Sequence, residues 1–316
     1  VDNSSTTNNS TAPAPAKSKF GGMLKGNIYM LMATIFFGLN IPIVKFLIPK
    51  WMNAVDVTLV RMFAGCALMW ITSIFIKNKA IARSDWWRVI IGGGIGLFSF
   101  VYFLNLSLRY ANPIDVSIIL TLPPVFVVLF NIVFRHYRPS MLETLGIVIS
   151  FVGAAVVIVV KGSGHAGSDE FLGDLIALGS IVCYAFYLIV MEKPSHTYPA
   201  VSLLRWVFLA ASVPALFFVG ELGQAPIFHH FEWAPVLYTA YVGVCTTYLA
   251  YLFVQPAIKL IGSELVALYQ YLVPAVAIVG SFVMGVGRLN MVQIIAIVVI
   301  IAGMVLTNRA KRRTKA

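Results

Sequence analysis

The sequence predicts an all-α integral membrane protein: ten transmembrane helices arranged as two inverted-topology repeats of five. Three observations carry this. First, 59% of the residues are hydrophobic and only 11% charged, with a mean hydropathy of +0.88. A soluble domain carries about 25% charged residues, so this much apolar surface needs lipid rather than a water-bounded core. Second, the apolar residues fall into ten runs, each near the roughly 20 residues a helix needs to cross a hydrocarbon core of about 30 Å. Third, the chain repeats itself. Pro124 and Gly153 are 29 residues apart, as are Pro274 and Gly303, offset by 150. Arg109 and Lys259 share that offset, while Val57–Phe63 (VTLVRMF) answers Val201–Val207 (VSLLRWV) at 144, and Gly26–Ala33 answers Gly173–Ser180 at 147. A long repeat in a membrane chain means two copies of one unit packed as a pair.

The runs are 26–48, 55–76, 87–108, 114–134, 142–160, 172–191, 200–220, 236–255, 264–284 and 291–308. Short polar or proline-bearing dividers separate them: Pro49-Lys50, Lys77–Asp85, Arg109–Pro113, Arg135–Pro139, Lys161–Glu170, Glu192–Pro199, Glu221–Pro235, Lys259–Ser263 and Val286–Asn290. The expected organisation is a disordered cytoplasmic tail over 1–24, a first five-helix repeat over 25–161, a second over 172–308, and a basic cytoplasmic tail over 309–316. Val1–Lys19 is Ser-, Thr-, Asn-, Ala- and Pro-rich. That composition cannot bury a core, and it has no apolar stretch resembling a secretory leader.

Lys and Arg set the orientation. With the N-terminus inside, sixteen of the 23 basic residues fall on inner segments and five on outer ones, with Arg61 and Arg205 inside spans. Such a bias places both termini in the cytoplasm. Five spans per copy is an odd number, so the second copy enters the membrane from the opposite side. The expected location is the cell (inner) membrane, multi-pass. The net charge of +11 sits in short tracts between spans, without interleaved aromatics, so it reports membrane topology and not nucleic acid. Cys66, Cys183 and Cys245 lie far apart inside apolar runs and read as small buried hydrophobes. His229-His230-Phe231-Glu232 is the one metal-like grouping, but no further ligands are spaced to complete it. No cofactor or metal is expected.

Each half opens with Gly and a polar residue (Gly26-Asn27, Gly173-Asp174). Each has one arginine in its second span (Arg61, Arg205), a mid-span proline in its fourth (Pro124, Pro274) and a late Gly in its fifth (Gly153, Gly303). This ordered set, seen twice over residues 25–308, resembles the drug/metabolite transporter superfamily and, within it, the EamA-like ten-span transporters. One departure is at the end of the fourth and ninth spans. The family's Gly-Glu-Arg-Leu pattern keeps Arg138 and Arg288, but Tyr137 and Gly287 occupy the Glu position.

The resemblance implies that spans one, three and four, with six, eight and nine, line a central path. Polar groups inside spans are costly unless they line a cavity or find partners. The candidate substrate-binding residues are therefore Asn40, Tyr102, Asn105, Thr121, Tyr184, Tyr187, Tyr248, Tyr251, Gln270 and Tyr271. Asn40 and Tyr187 are related at offset 147, as are Phe37 and Tyr184, and equivalent positions face each other across a two-fold axis. The alternative for each is an interfacial anchor or an interhelical hydrogen bond. Pro42, Pro124 and Pro274 are hinge candidates, because a proline frees a carbonyl and lets a helix bend. Arg61 and Arg205 are either structural anchors or anion-facing charges. Asp56, Asp115, Glu143, Asp174 and Glu192 lie at span ends, so no acid stands ready as a mid-membrane proton relay.

The expected function is alternating-access transport, not catalysis. The cargo is expected to be small amphipathic metabolites: amino acids, aromatic ones included, or related compounds, moved by export as the resemblance implies. A nucleotide-sugar or phosphate-ester carrier would want several inward-facing cations. A membrane-embedded transferase would need clustered acids or a nucleophile, and His165 with Asp169 has no support from the spans. The expected partners are the small-molecule substrate and the lipid bilayer, with no nucleic acid, the chain being a monomer or homodimer.

Overall fold

The structure, a computed structural model, describes residues 16–48, 50–162, 168–222 and 224–315. Seven helical stretches are long and apolar enough to span a membrane: Gly21–Leu47, Ala54–Ile74, Arg83–Tyr110, Pro113–Phe134, Asp169–Thr197, Ala200–Phe218 and Trp233–Val254. Met141–Val156, Val273–Val283 and Met291–Thr307 are shorter apolar helices that complete the ten. Among the described residues there is no strand.

In chain order the helices of the first copy are α1 (Ala16–Leu47), α2 (Ala54–Ile74), α3 (Trp86–Ile91), α4 (Phe98–Tyr110), α5 (Pro113–Ile119), α6 (Pro123–Arg135) and α7 (Met141–Gly162). Those of the second are α8 (Ser168–Thr197), α9 (Ala200–Ala215), α10 (Val219–Leu222), α11 (Trp233–Tyr241), α12 (Ala250–Tyr269), α13 (Val273–Val283) and α14 (Met291–Lys315).

Local chemistry starts these helices. Asn53 and Asp56 form a reciprocal capping box at α2, with both bonds at 2.8 Å, which satisfies two otherwise orphaned amides. Asn112 caps α5, and Pro113 takes the first turn, where its missing N–H costs nothing. Ser140 accepts from the Glu143 amide at 3.2 Å before α7, and the Gln293 side chain accepts from the Asn290 amide at 2.7 Å before α14. These last two starts are the same position in the two copies, offset by 150.

The copies exchange elements. α1 packs on α12 and α8 packs on α4, so each copy's first span lies against the other's third. α2 packs on α9 and α7 on α14, like against like. That pairing is what an approximate two-fold axis requires. Where α7 meets α14, residues related by the repeat touch directly: Ser150 Oγ lies 3.4 Å from the Ile300 carbonyl. Two glycines permit the approach. A Cβ on Gly146 would come within 2.6 Å of the Gly303 carbonyl oxygen, and one on Gly303 within 2.6 Å of the Gly146 oxygen.

Two irregularities recur at the repeat offset. The third spans of both copies contain π-helical turns, at Gly92–Leu97 and Val242–Leu249. The fourth spans are interrupted, between α5 and α6 in the first copy and at the tight turn Gln270–Leu272 in the second.

The structure corrects several expectations. Pro124 and Pro274, hinge candidates by sequence, do not bend continuous helices: both sit in the first turn of a new helix, α6 and α13, just after the interruption. Proline is pre-shaped for that turn and clashes inside a helix. Pro42 does lie inside α1. The turn expected at Lys259–Ser263 is helical, within α12. Its counterpart in the first copy is broken at Ala111-Asn112 ahead of Pro113, whereas the equivalent position, Ser263, is no proline and forces no break. Finally, α1 reaches back to Ala16 and α14 forward to Lys315, into both stretches expected as tails. Ala, Lys and Arg are good helix formers, so a span can continue as helix beyond the lipid.

Candidate functional site

A cavity of about 560 Å³, its mouth included, lies between the copies. Phe37, Asn40 and Ile41 of α1, Arg61 of α2, Phe100 and Leu104 of α4, and Leu120 at the first interruption line one side. Tyr184 of α8, Tyr251 of α12 and Val273 of α13 line the other. Both interrupted spans thus reach it. The first interruption does not offer free amides, however. Pro123 and Pro124 have no N–H, and the Val125 amide donates back to the Leu122 carbonyl at 3.0 Å.

The walls are aromatic. Phe100 and Tyr184 lie 4.5 Å apart, ring centre to ring centre, and Tyr184 stacks on Tyr187 at 6.1 Å. Phe37 and Phe208 meet Tyr251 edge-on at 5.9 and 5.6 Å.

Besides the tyrosine hydroxyls, two polar side chains break this surface. Asn40 is 3% exposed, and its Oδ1 is buried without a hydrogen-bond partner. Arg61 is also 3% exposed; its Nε donates to Thr247 Oγ1 at 3.1 Å, and its Nη1 has no partner. Thr247 in turn donates to the carbonyl of Val242, five residues back, at 2.9 Å. That back-bond belongs to the π turn, where the five-residue spacing is the natural one. The π turn therefore sets Thr247, and Thr247 sets Arg61. Single π turns inside helices are frequent at functional sites.

The two repeat-related arginines have different surroundings. Arg205 lies over Trp70 and Trp206 at 5.1 and 5.4 Å from the ring centres. Trp206 also packs edge-on against Trp86 at 4.8 Å. Arg205 is held by indole faces through cation–π attraction, away from the cavity.

Among the sequence candidates, Asn40, Tyr184, Tyr251 and Arg61 come together on the cavity, and Tyr187 packs behind Tyr184. Others are engaged elsewhere. Tyr102 stacks on Phe98 at 6.2 Å and adjoins Phe103. Asn105 donates to Thr58 Oγ1 at 2.9 Å, fully buried between α4 and α2. Thr121 donates to the Ile118 carbonyl at 2.6 Å. Tyr248 shares a hydrogen bond with Thr72. Tyr271 packs partly buried against the core. The side chain of Gln270 lies outside the described residues. The sequence search missed Ile41, Phe100, Leu104, Leu120 and Val273, because it filtered for polar groups. A filter for aromatics just after the glycine-rich run Gly92–Gly96 would have found Phe100.

Acids are tied down at the span ends. Tyr137 donates to Glu143 at 2.8 Å, which pushes its phenol pKa up, and Gln293 donates to Asp115 at 2.6 Å. Tyr198 donates to Asp85 at 2.9 Å, with Lys193 at 3.7 Å. Among the described residues no group of three or more His, Cys, Asp or Glu is placed to hold a metal ion.

Ten apolar spans in two exchanged copies, with an amphipathic cavity at their interface, define a membrane transporter of the two-repeat kind. The sequence profile of the EamA-like transporter family matches residues 24–159 and again 171–309, and the chain belongs to that family. It is 27% identical over 295 residues to the uncharacterized transporter YyaM of Bacillus subtilis, covering 88% of this chain and 92% of that one. It is 24% identical over 191 residues to an uncharacterized transporter of Archaeoglobus fulgidus, covering 60% and 66%. A solved crystal structure shares the fold with a TM-score of 0.59 at 17% identity, over 93% of this chain and 99% of that one. The relatives carry the names of transporters, not enzymes.

Proposed function

We propose that this transporter moves small amphipathic metabolites, amino acids and aromatic amino acids among them, outward across the cell membrane. The single observation that carries the reading is the cavity between the copies. Aromatic walls suit stacking on an apolar body, while the unpartnered Asn40 Oδ1 and Arg61 Nη1 await polar groups. A phosphate-ester or nucleotide-sugar dianion would call for several cations, and among the described residues Arg61 is the one basic residue lining this cavity. Movement is by alternating access: one copy rocks against the other about the fixed cavity. Both termini are cytoplasmic, by the excess of Lys and Arg on inner segments. Export follows the likeness of the family.

Flux from proteoliposomes tests this. Vesicles loaded with radiolabelled amino acids should lose them faster than protein-free vesicles. Asn40→Ala, and Tyr187→Ala through the cavity-lining ring of Tyr184 that it backs, should each cut that flux by about tenfold, roughly 1.4 kcal/mol in the barrier, with unchanged yield of monodisperse protein. Absence of flux across a broad panel would sink the reading. Unchanged flux in both variants would remove these residues from the site.

A further inference from the structure

Resting on the transport reading above, we infer that Arg61 is the subsite for a single anionic group of the substrate. We also infer that it makes the protein an exchanger, because the empty cavity changes face slowly. The observation is a desolvated, uncompensated charge. Arg61 is 3% exposed, its Nε is held by Thr247, and Nη1 points into the protein without a partner. Among the described residues no carboxylate lies within ion-pair distance of it. Asp56, on the same helix, has its side chain in the α2 cap with Asn53. None of the surrounding wall residues, Phe37, Phe100, Tyr184 and Tyr251, carries a carboxylate.

Any passage between the two faces closes both mouths around this group. In the empty protein every closed state, this one included, keeps a lone cation among apolar walls, and an uncompensated buried charge is costly relative to an open state that hydrates it. With an amino acid bound, the guanidinium closes inside an ion pair joined by charge-assisted hydrogen bonds, and the ammonium pole closes against its own carboxylate and Asn40 Oδ1 rather than alone among apolar walls. The loaded protein therefore turns over faster than the empty one. One guanidinium balances one negative charge. Asn40 Oδ1, also buried and unpartnered, accepts an N–H and so suits a zwitterion with its ammonium pole there.

The test uses the full chain in proteoliposomes loaded with radiolabelled phenylalanine. Efflux is measured into plain buffer, into unlabelled phenylalanine, into hydrocinnamate (carboxylate without amine) and into phenethylamine (amine without carboxylate). Phenylalanine outside should speed efflux at least about tenfold over buffer. Hydrocinnamate should also speed it, and phenethylamine should not. Arg61→Gln should bring the buffer and exchange rates together, and Arg61→Lys should keep them apart. If Arg61→Gln does not fold, the hydrocinnamate and phenethylamine arms on the unaltered protein still decide. Equal efflux into buffer and phenylalanine overturns exchange while leaving transport standing. Equal stimulation by phenethylamine overturns the anionic subsite. No efflux of any amino acid overturns this inference together with the reading beneath it.

Discussion

Gly303→Ala probes the axis between the copies most directly. The added methyl would sit 2.6 Å from the Gly146 carbonyl oxygen, 2.6 Å from Ser150 Oγ and 2.7 Å from the Ser150 amide nitrogen. Ordinary contact begins near 3.4 Å, so α7 and α14 must part by about 0.8 Å. Two of those three neighbours are backbone atoms, which cannot turn aside as a side-chain end would. Overpacking of this kind costs about 1–3 kcal/mol, and Ala gains back up to about 1 kcal/mol in helix propensity. The net loss is then on the order of 1–2 kcal/mol, or a Tm lower by about 1.5–3 °C for a chain of this length. Intrinsic tryptophan fluorescence during heating in detergent reads it. Gly179→Ala is the control, since nothing lies within 4 Å of its Cβ position; it should leave Tm unchanged or raise it. If Gly303→Ala melts within about 1 °C of the parent while Gly179→Ala behaves as stated, the close approach at the axis is wrong.

Pro124→Ala should lower stability by less than about 1 kcal/mol, because a first-turn proline displaces no helical hydrogen bond; chemical denaturation in mixed micelles would show it. Tyr102→Leu should leave amino-acid flux within about twofold of the parent, since its ring lies with Phe98 and Phe103 and not on the cavity. Burial of the Tyr137 phenol's proton in its bond to Glu143 raises its pKa above the ordinary value of 10.0. The stability it adds is complete below pH 10 and is lost as pH rises through the raised value, so Tyr137→Phe should flatten the alkaline end of a Tm-against-pH curve. Single cysteines at Lys77 and His230, in a cysteine-free background, should react with an impermeant maleimide from opposite sides in sealed vesicles; labelling from the same side would contradict the span count between them.

Hydropathy alone located the ten spans, because lipid imposes length and polarity on each independently of its neighbours. Other features depend on tertiary context and were less legible. Pro113 marks a break that its repeat partner Ser263 does not share, so assuming strict symmetry placed a turn inside α12. A π turn inserts one residue into the helical count, about 100° of rotation. Beyond Gly92–Leu97 this shifts which face is inward, which is why Phe100 and Leu104 line the cavity while Tyr102 does not. Arg61 and Arg205 look alike in sequence. Only the fold sets one beside Thr247 and the other among Trp70, Trp86 and Trp206.

The exchange of first and third spans between copies has a consequence for biogenesis. During synthesis α1 through α7 emerge before any of α8 through α14 exists. The faces of α1 and α4 that later meet α12 and α8, and the glycine face of α7 that later meets α14, must first be covered by lipid or by a chaperone. A nascent chain stalled near residue 165 would be a half-molecule inserted in the membrane with nothing to close against. Ribosomal pausing within the second half is thus the stage at which this protein is most exposed to quality-control proteolysis.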